Sequence, residues 1–166
     1  MYRRGFYSLI LGLFFMFSCK EEAKKPDKVE KKAEAAVDMS KPEIPGITNE
    51  VMIRLLDQCT YVDYIFHSLP YSISQNEDPS IDMNISFIDY KRPLGRIPIN
   101  CKPIGRKFFH INGEIVYDID VYLNSQCKFY VFVDKNNKPI FANYMTEDGI
   151  KFYADMASRA RGAVNQ

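Results

Sequence analysis

The chain predicts an α+β domain built as an N-terminal helix, an antiparallel sheet of about four strands in a meander, and a C-terminal helix. Three observations carry this. Apolar residues recur at helical spacing soon after residue 48, the pair Asn112-Gly113 separates two strand-like runs, and a second helical stripe follows Thr146. Strands joined by short turns and flanked by helices place the helices on a face of an antiparallel sheet.

The first 18 residues read as an export signal. Arg3 and Arg4 supply positive charge, residues 6–17 form an apolar run, and the small Ser18 precedes Cys19. The run falls short of the roughly 20 residues a membrane-spanning helix needs. Met16-Phe17-Ser18-Cys19 resembles a lipobox, the site where bacterial lipoproteins are acylated on cysteine. Met16 stands where Leu is usual, and Phe17 is bulkier than the common residue. Lys20-Glu21-Glu22, which follows, resembles the surface-export signal of Bacteroidota-type lipoproteins. These resemblances imply lipidation at Cys19 and a protein held at the outer membrane, facing the periplasm or exposed at the cell surface. An ordinary secretory signal with a chance cysteine is the alternative.

Residues 19–45 are mostly Lys, Glu, Asp and Ala, with Pro26, Pro42 and Pro45 and almost no bulky apolar residue. Such a stretch buries too little to offset its ordering entropy and predicts a charged, flexible tether. As a coil it would reach roughly 25–30 Å. The remainder, residues 46–166, suits one globular domain. Overall the chain is 46% hydrophobic, with 12 Phe, 11 Tyr and no Trp, at a net charge of +1. Setting aside Arg3, Arg4 and the tether's seven lysines and seven acids leaves 13 basic against 14 acidic residues. That balance excludes a nucleic-acid footprint, which needs a basic face.

Within the domain, Thr48 or Asn49 caps a helix expected to run to Phe66, with Val51, Met52, Leu55, Leu56, Cys59, Val62, Ile65 and Phe66 on its apolar side. Pro70 bars any continuation. Residues 75–80 read as a polar loop. Residues 81–90 alternate, with Ile81, Met83, Ile85 and Phe87 on one side, and predict a half-buried strand. Residues 91–100 read as a loop. Residues 104–111 and 114–123 flank Asn112-Gly113, a type I′ hairpin signal. The implied register pairs Ile111 with Glu114, Phe108 with Tyr117 and Lys107 with Asp118, the last an opposite-charge pair. It places Phe108, Ile115, Tyr117, Ile119 and Val121 on one face. Residues 128–133 are apolar on both faces and read as a central strand. Asn136-Asn137 turns it into residues 139–144, pairing Val131 with Ala142 and Phe132 with Phe141. Thr146 caps the last helix, whose stripe is Ile150, Tyr153, Ala157 and Ala160, with Gly162 near its stop.

Besides Cys19 the chain has Cys59, Cys101 and Cys127. An exported compartment permits a disulfide and leaves one thiol over. Cys101 with Cys127 is the favoured pair, provided that the loops curl inward, because the register otherwise leaves them roughly 10 Å apart. Cys59 with either partner is the competitor. The three cysteines with His67, His110 or Met145 also suggest the alternative function, copper or thiol-redox handling outside the cytoplasm. The chain has no CxxC, HxxxH, GxSxG, phosphate loop or HExxH. Asp118 and Asp120 share one strand face and form a carboxylate pair, more simply read as a solvent face answered by Lys107. No catalytic residue, metal ligand or cofactor is therefore assigned. The expected activity is that of a non-catalytic binding or assembly module with a protein partner in the cell envelope. Its interaction face gathers Phe129, Val131, Val133, Ile140, Ala142 and Tyr144 beside Asp118, Asp120 and Lys107, unless a helix covers it.

Overall fold

The computed structural model describes residues 36–69 and 72–164, with side chains to residue 159. Cys19, the export signal, most of the tether, Pro70 and the side chain of Ala160 lie outside the described residues. The elements are α1 (Asn49–Gln58), β1 (Tyr61–Phe66), β2 (Ser72–Gln75), α2 (Asp78–Ser86), β3 (Ile88–Pro93), β4 (Gly105–Ile111), β5 (Glu114–Leu123), β6 (Lys128–Val133), β7 (Pro139–Met145) and α3 (Glu147–Val164). The α+β class holds, but the sheet has seven strands in the order β2-β1-β4-β5-β6-β7-β3, rather than four. Every pairing is antiparallel. The β4–β7 meander is its centre.

The extra strands come from two misread segments. Thr48 Oγ1 accepts the Val51 N–H at 3.4 Å and opens α1, but the helix stops at Gln58 and Cys59 is already extended. From Tyr61 onward the period is two. Val62, Tyr64 and Phe66 are buried while Ile65 is 50% exposed. The helical spacing of Val62, Ile65 and Phe66 yields to pairing with β4, which also suits β-branched and aromatic residues. The second segment errs the other way. Pro79 falls in the first turn of α2, a position that tolerates its missing N–H. Ile81, Asn84 and Ile85 are buried at helical spacing, and Met83, expected inside a strand, is 44% exposed. The predicted 81–90 strand survives only as β3.

The Asn112-Gly113 turn forms with positive φ at both residues, 52° and 81°. Ile111 pairs with Glu114. A bulge beside His110 then shifts the register, so that His110 faces Ile115 and Phe109 faces Tyr117. The remaining pairs are Phe108 with Asp118 and Lys107 with Ile119, one residue off the expected ones. A one-residue slip exchanges faces. Phe109, Tyr117, Ile119 and Val121 turn toward the helices, whereas Phe108 and Ile115 do not join them. Val131 pairs with Ala142 and Phe132 with Phe141. A second bulge at Val133 places Ile140 against the helix-side core, away from the face to which it was assigned.

The helix-side core centres on Leu55, Val62, Ile85, Phe109, Ile119, Phe132 and Tyr153. Tyr153 follows from the Thr146 cap, whose Oγ1 accepts the Gly149 N–H at 3.3 Å. A smaller core lies on the other face, where Tyr122, Phe129, Val131, Val133 and Ala142 pack under Ile44, Leu94 and Ile97. The cover is irregular chain. Residues 36–47 and 94–101 bond to each other through Ile44 N–H to Gly95 O (2.6 Å) and Ile99 N–H to Ala36 O (2.9 Å). They bond to the sheet through Ala142 N–H to Pro45 O (2.9 Å) and Ile47 N–H to Asn143 Oδ1 (2.7 Å). Ten residues assigned to the tether, 36–45, therefore belong to the folded domain.

Cys101 and Cys127 are disulfide-bonded, with Cα atoms 5.9 Å apart. The 94–101 segment crosses over the sheet instead of extending β4, which removes the strand spacing between them. Asn124 Oδ1 accepts the N–H groups of Gln126 (2.8 Å) and Cys127 (2.7 Å) and curls the β5–β6 turn inward. The bond spans 26 residues, and loop-closure entropy for that length corresponds to about 3.5 kcal/mol. Cys101→Ser/Cys127→Ser is expected to lose about that much in urea unfolding, and reductant is expected to lower the wild type to the same level. A double variant as stable as the wild type would refute this.

Candidate functional site

The assigned interaction face is mostly occupied. Phe129 and Val131 are 1% exposed and Val133 5%, beneath the 36–47 and 94–101 cover. A coil cover, and not a helix, fills the place that the sequence left open. Tyr144 is half-buried at its margin, with the Arg92 guanidinium 4.7 Å from its ring centre. This patch is a second core rather than a free surface.

Among the described residues the same face continues uncovered across β5, β4 and β1. One cross-strand row runs Ile65, Arg106, Asp120, Val131, and the next runs Asp63, Phe108, Asp118, Val133. In each row the β6 end is covered and the β1 end is open. Ile65 and Ile115 are 50% and 53% exposed, and Tyr61, Phe108 and His110 are half-buried between them.

The acids stand on the border between the two halves. Arg106 holds Asp120 through Nε (2.9 Å) and Nη2 (2.8 Å), and its Nη1 lies 3.9 Å from Asp118 and donates to Asn137 Oδ1 at 2.9 Å. Both contacts to Asp120 converge on Oδ1, a charge-assisted pair held from two nitrogens. Asp118 and Asp120 are thus answered by Arg106, in place of the Lys107 that the misread register offered. On the open side, His110 Nε2 lies 3.1 Å from Asp63 Oδ2, and Ser74 donates to Asp63 Oδ1 at 2.5 Å. The carboxylate sits between the serine and the histidine, so the histidine has no route to the Ser74 proton and the set is no nucleophile–base pair.

The cysteines and the remaining histidine do not converge. Cys59 is buried on the helix side, its thiol donating to Tyr61 O at 3.4 Å, while Cys101 and Cys127 lie bonded to each other in the other core. His67 is exposed, and Met145 is 2% exposed within the helix-side core. Among the described residues no group of three or more His, Cys, Asp or Glu is placed to hold a metal.

Sequence reasoning placed Lys107 on the wrong face. The shifted register turns it inward, where it is fully buried. Its Nζ donates to Asn84 O at 3.3 Å, a carbonyl in the last turn of α2 that the helix itself leaves unpaired. A cation at that negative pole is favourable, and α2 carries no basic residue of its own there. The ring centres of Tyr130 and Phe109 lie 4.6 and 4.7 Å from the amine, and that of Tyr64 lies 6.0 Å away. These π faces stand where a carboxylate would otherwise be needed. Burial brings the Lys107 pKa down to about 7. Burial also pushes the Tyr64, Tyr130 and Tyr153 phenols and the Cys59 thiol up. The only signal in the sequence was parity, since Lys107, Phe109 and Ile111 share a face once the bulge is known.

Comparison with family models, curated proteins and solved structures finds no match for this chain.

Lys107 makes stability depend on pH with a definite sign. Its folded pKa is about 7 and its ordinary value 10.5, so between these the unfolded chain holds the extra proton and stability rises with pH. At about 1.4 kcal/mol per unit the ceiling is about 5 kcal/mol, which ring contacts with the charged form reduce. Above about pH 9 ionisation of Cys59 and the tyrosines in the unfolded chain opposes the rise. Urea unfolding should therefore give a gain of a few kcal/mol from pH 7 to 9, flattened in Lys107→Met. An equal slope in that variant would disprove the assignment.

Proposed function

We propose that this chain is an outer-membrane lipoprotein, acylated on Cys19, whose domain is a non-catalytic binding or assembly module for a protein of the cell envelope. The lipobox-like Met16-Phe17-Ser18-Cys19 and the Lys20-Glu21-Glu22 after it support the anchor. One observation carries the binding reading: the middle of the sheet is left open on one face while its neighbouring half is sealed. Exposed Ile65 and Ile115 and half-buried Tyr61 and Phe108 lie beside a fixed Arg106–Asp120 pair. Aromatic and aliphatic groups next to oriented charges supply both the contact area and the register a partner needs. The docking surface is thus the β1–β4 half of the face, and the Phe129–Val131–Val133 patch keeps the domain folded.

Two measurements test the parts separately. Labelled palmitate should enter the wild type and not Cys19→Ala, and incorporation into neither overturns the anchor. A photo-crosslinking residue at position 108 should give one discrete adduct with an envelope protein in cells. The same group at position 57, an exposed site on α1, should give none. Silence at 108, or equal yields at both positions, counts against the docking surface.

A further inference from the structure

The structure points to a second membrane contact, and we propose that Met39 and Ile99, with Val37 beside them, rest in the headgroup region of the bilayer that holds the Cys19 lipid. Met39 is 72% and Ile99 64% exposed, the two highest values among the exposed large apolar side chains of the described residues, and Val37 is 38% exposed. All three lie within two residues of the single bridge between Val37 and Pro98. Scattered apolar side chains are ordinary on a protein surface. Here the most exposed ones lie on the two segments that this bridge joins, the first of which is where the polypeptide arrives from Cys19.

Their position is built. Ile99 donates its N–H to Ala36 O at 2.9 Å, and two residues later Cys101 is tied by its disulfide to the foot of β6. Met39 stands on a turn in which Asp38 Oδ1 accepts from Ser40 N (3.0 Å) and Oγ (2.6 Å). Arg96 ties that turn down through Nε to Lys41 O (3.2 Å) and Nη1 to Glu43 (2.8 Å). The backbone under these side chains is thus already ordered, and insertion costs only their own rotamer freedom. Exposed Lys41 and Lys102 lie two and three positions from Met39 and Ile99 in the chain and suit anionic headgroups, while Lys41 also acts on Asp38 in the same turn and favours its charged form.

The occupant follows from continuity of the chain. Sixteen residues, 20–35, separate Cys19 from Ala36, and covalent geometry keeps Ala36 within about 60 Å of the bilayer. A lipid surface tethered that closely is present at high effective concentration, so a contact too weak to hold a free protein is still populated. The domain is then held with its Cys101–Cys127 end toward the membrane and the Asn112-Gly113 turn, at the other end of β4, away from it. This proposal rests on the lipoprotein reading.

The test uses the full-length acylated chain in vesicles of phosphatidylethanolamine and phosphatidylglycerol. A nitroxide at Ser40→Cys reports on the Met39 turn, and one at Glu114→Cys on the far turn. The ratio of collisions with oxygen to those with a water-soluble nickel chelate should be at least threefold higher at position 40. Met39→Glu/Ile99→Glu should bring it down to the value at 114 while flotation with the vesicles persists. Equal ratios in a wild-type chain that floats overturn the membrane contact and leave the anchor intact. A chain that takes no palmitate and does not float overturns both.

Discussion

β6 is apolar on both faces, and that one constraint organises the molecule. Tyr130 and Phe132 require a cover on one side of the sheet, and Phe129, Val131 and Val133 require one on the other. Helices supply the first. Residues 36–47 and 94–101, stapled by Cys101–Cys127, supply the second. An irregular cover is tolerable because its backbone groups bond to each other and to β7, so little polar surface is left unpaired. The cover stops at β5, and the ion pair of Arg106 with Asp120 marks its edge. The open surface assigned to a partner is thus a by-product of how far the cover reaches.

The helix side carries the molecule's main electrostatic expense. A lysine without a carboxylate partner, set among Tyr64, Phe109 and Tyr130, is held by one helix-end carbonyl and three π faces. An apolar residue of the same length would relieve the burial cost but leave the Asn84 carbonyl without its donor. Lys107 thus ties the last turn of α2 to β4 through that one hydrogen bond.

Much of the fold was legible in the sequence where short-range chemistry decides. The Asn112-Gly113 turn, the Thr146 cap, and the pairing of Val131 with Ala142 all rest on neighbours within a few residues. The failures have a common physical origin. The end of α1 at Gln58 depends on β4 being available to pair with Tyr61–Phe66, and α2 depends on a sheet for Ile81 and Ile85 to pack on. Two bulges, at His110 and Val133, carry no composition signal, and each reversed the faces of the residues beyond it. That is why Lys107, Phe108 and Ile140 were all placed on the wrong side. The apolar part of the assigned face, Phe129, Val131 and Val133, is covered, and Asp118 and Asp120 stand at the edge of that cover, next to an open stretch of β4 and of β1, the latter in a segment where the sequence had predicted the end of a helix.

The 36–47 cover also fixes the order in which the molecule can be completed. Its partners are residues 95–99 and, on β7, Ala142 and Asn143, with Pro45 and Ala142 almost a hundred positions apart. The part of this cover that a ribosome makes first is among the last to find a seat. Contacts so distant along the chain slow folding. Until β7 has formed, the hydrophobic underside of β6 stays wet, and a nascent chain carries that liability until nearly its last helix has emerged.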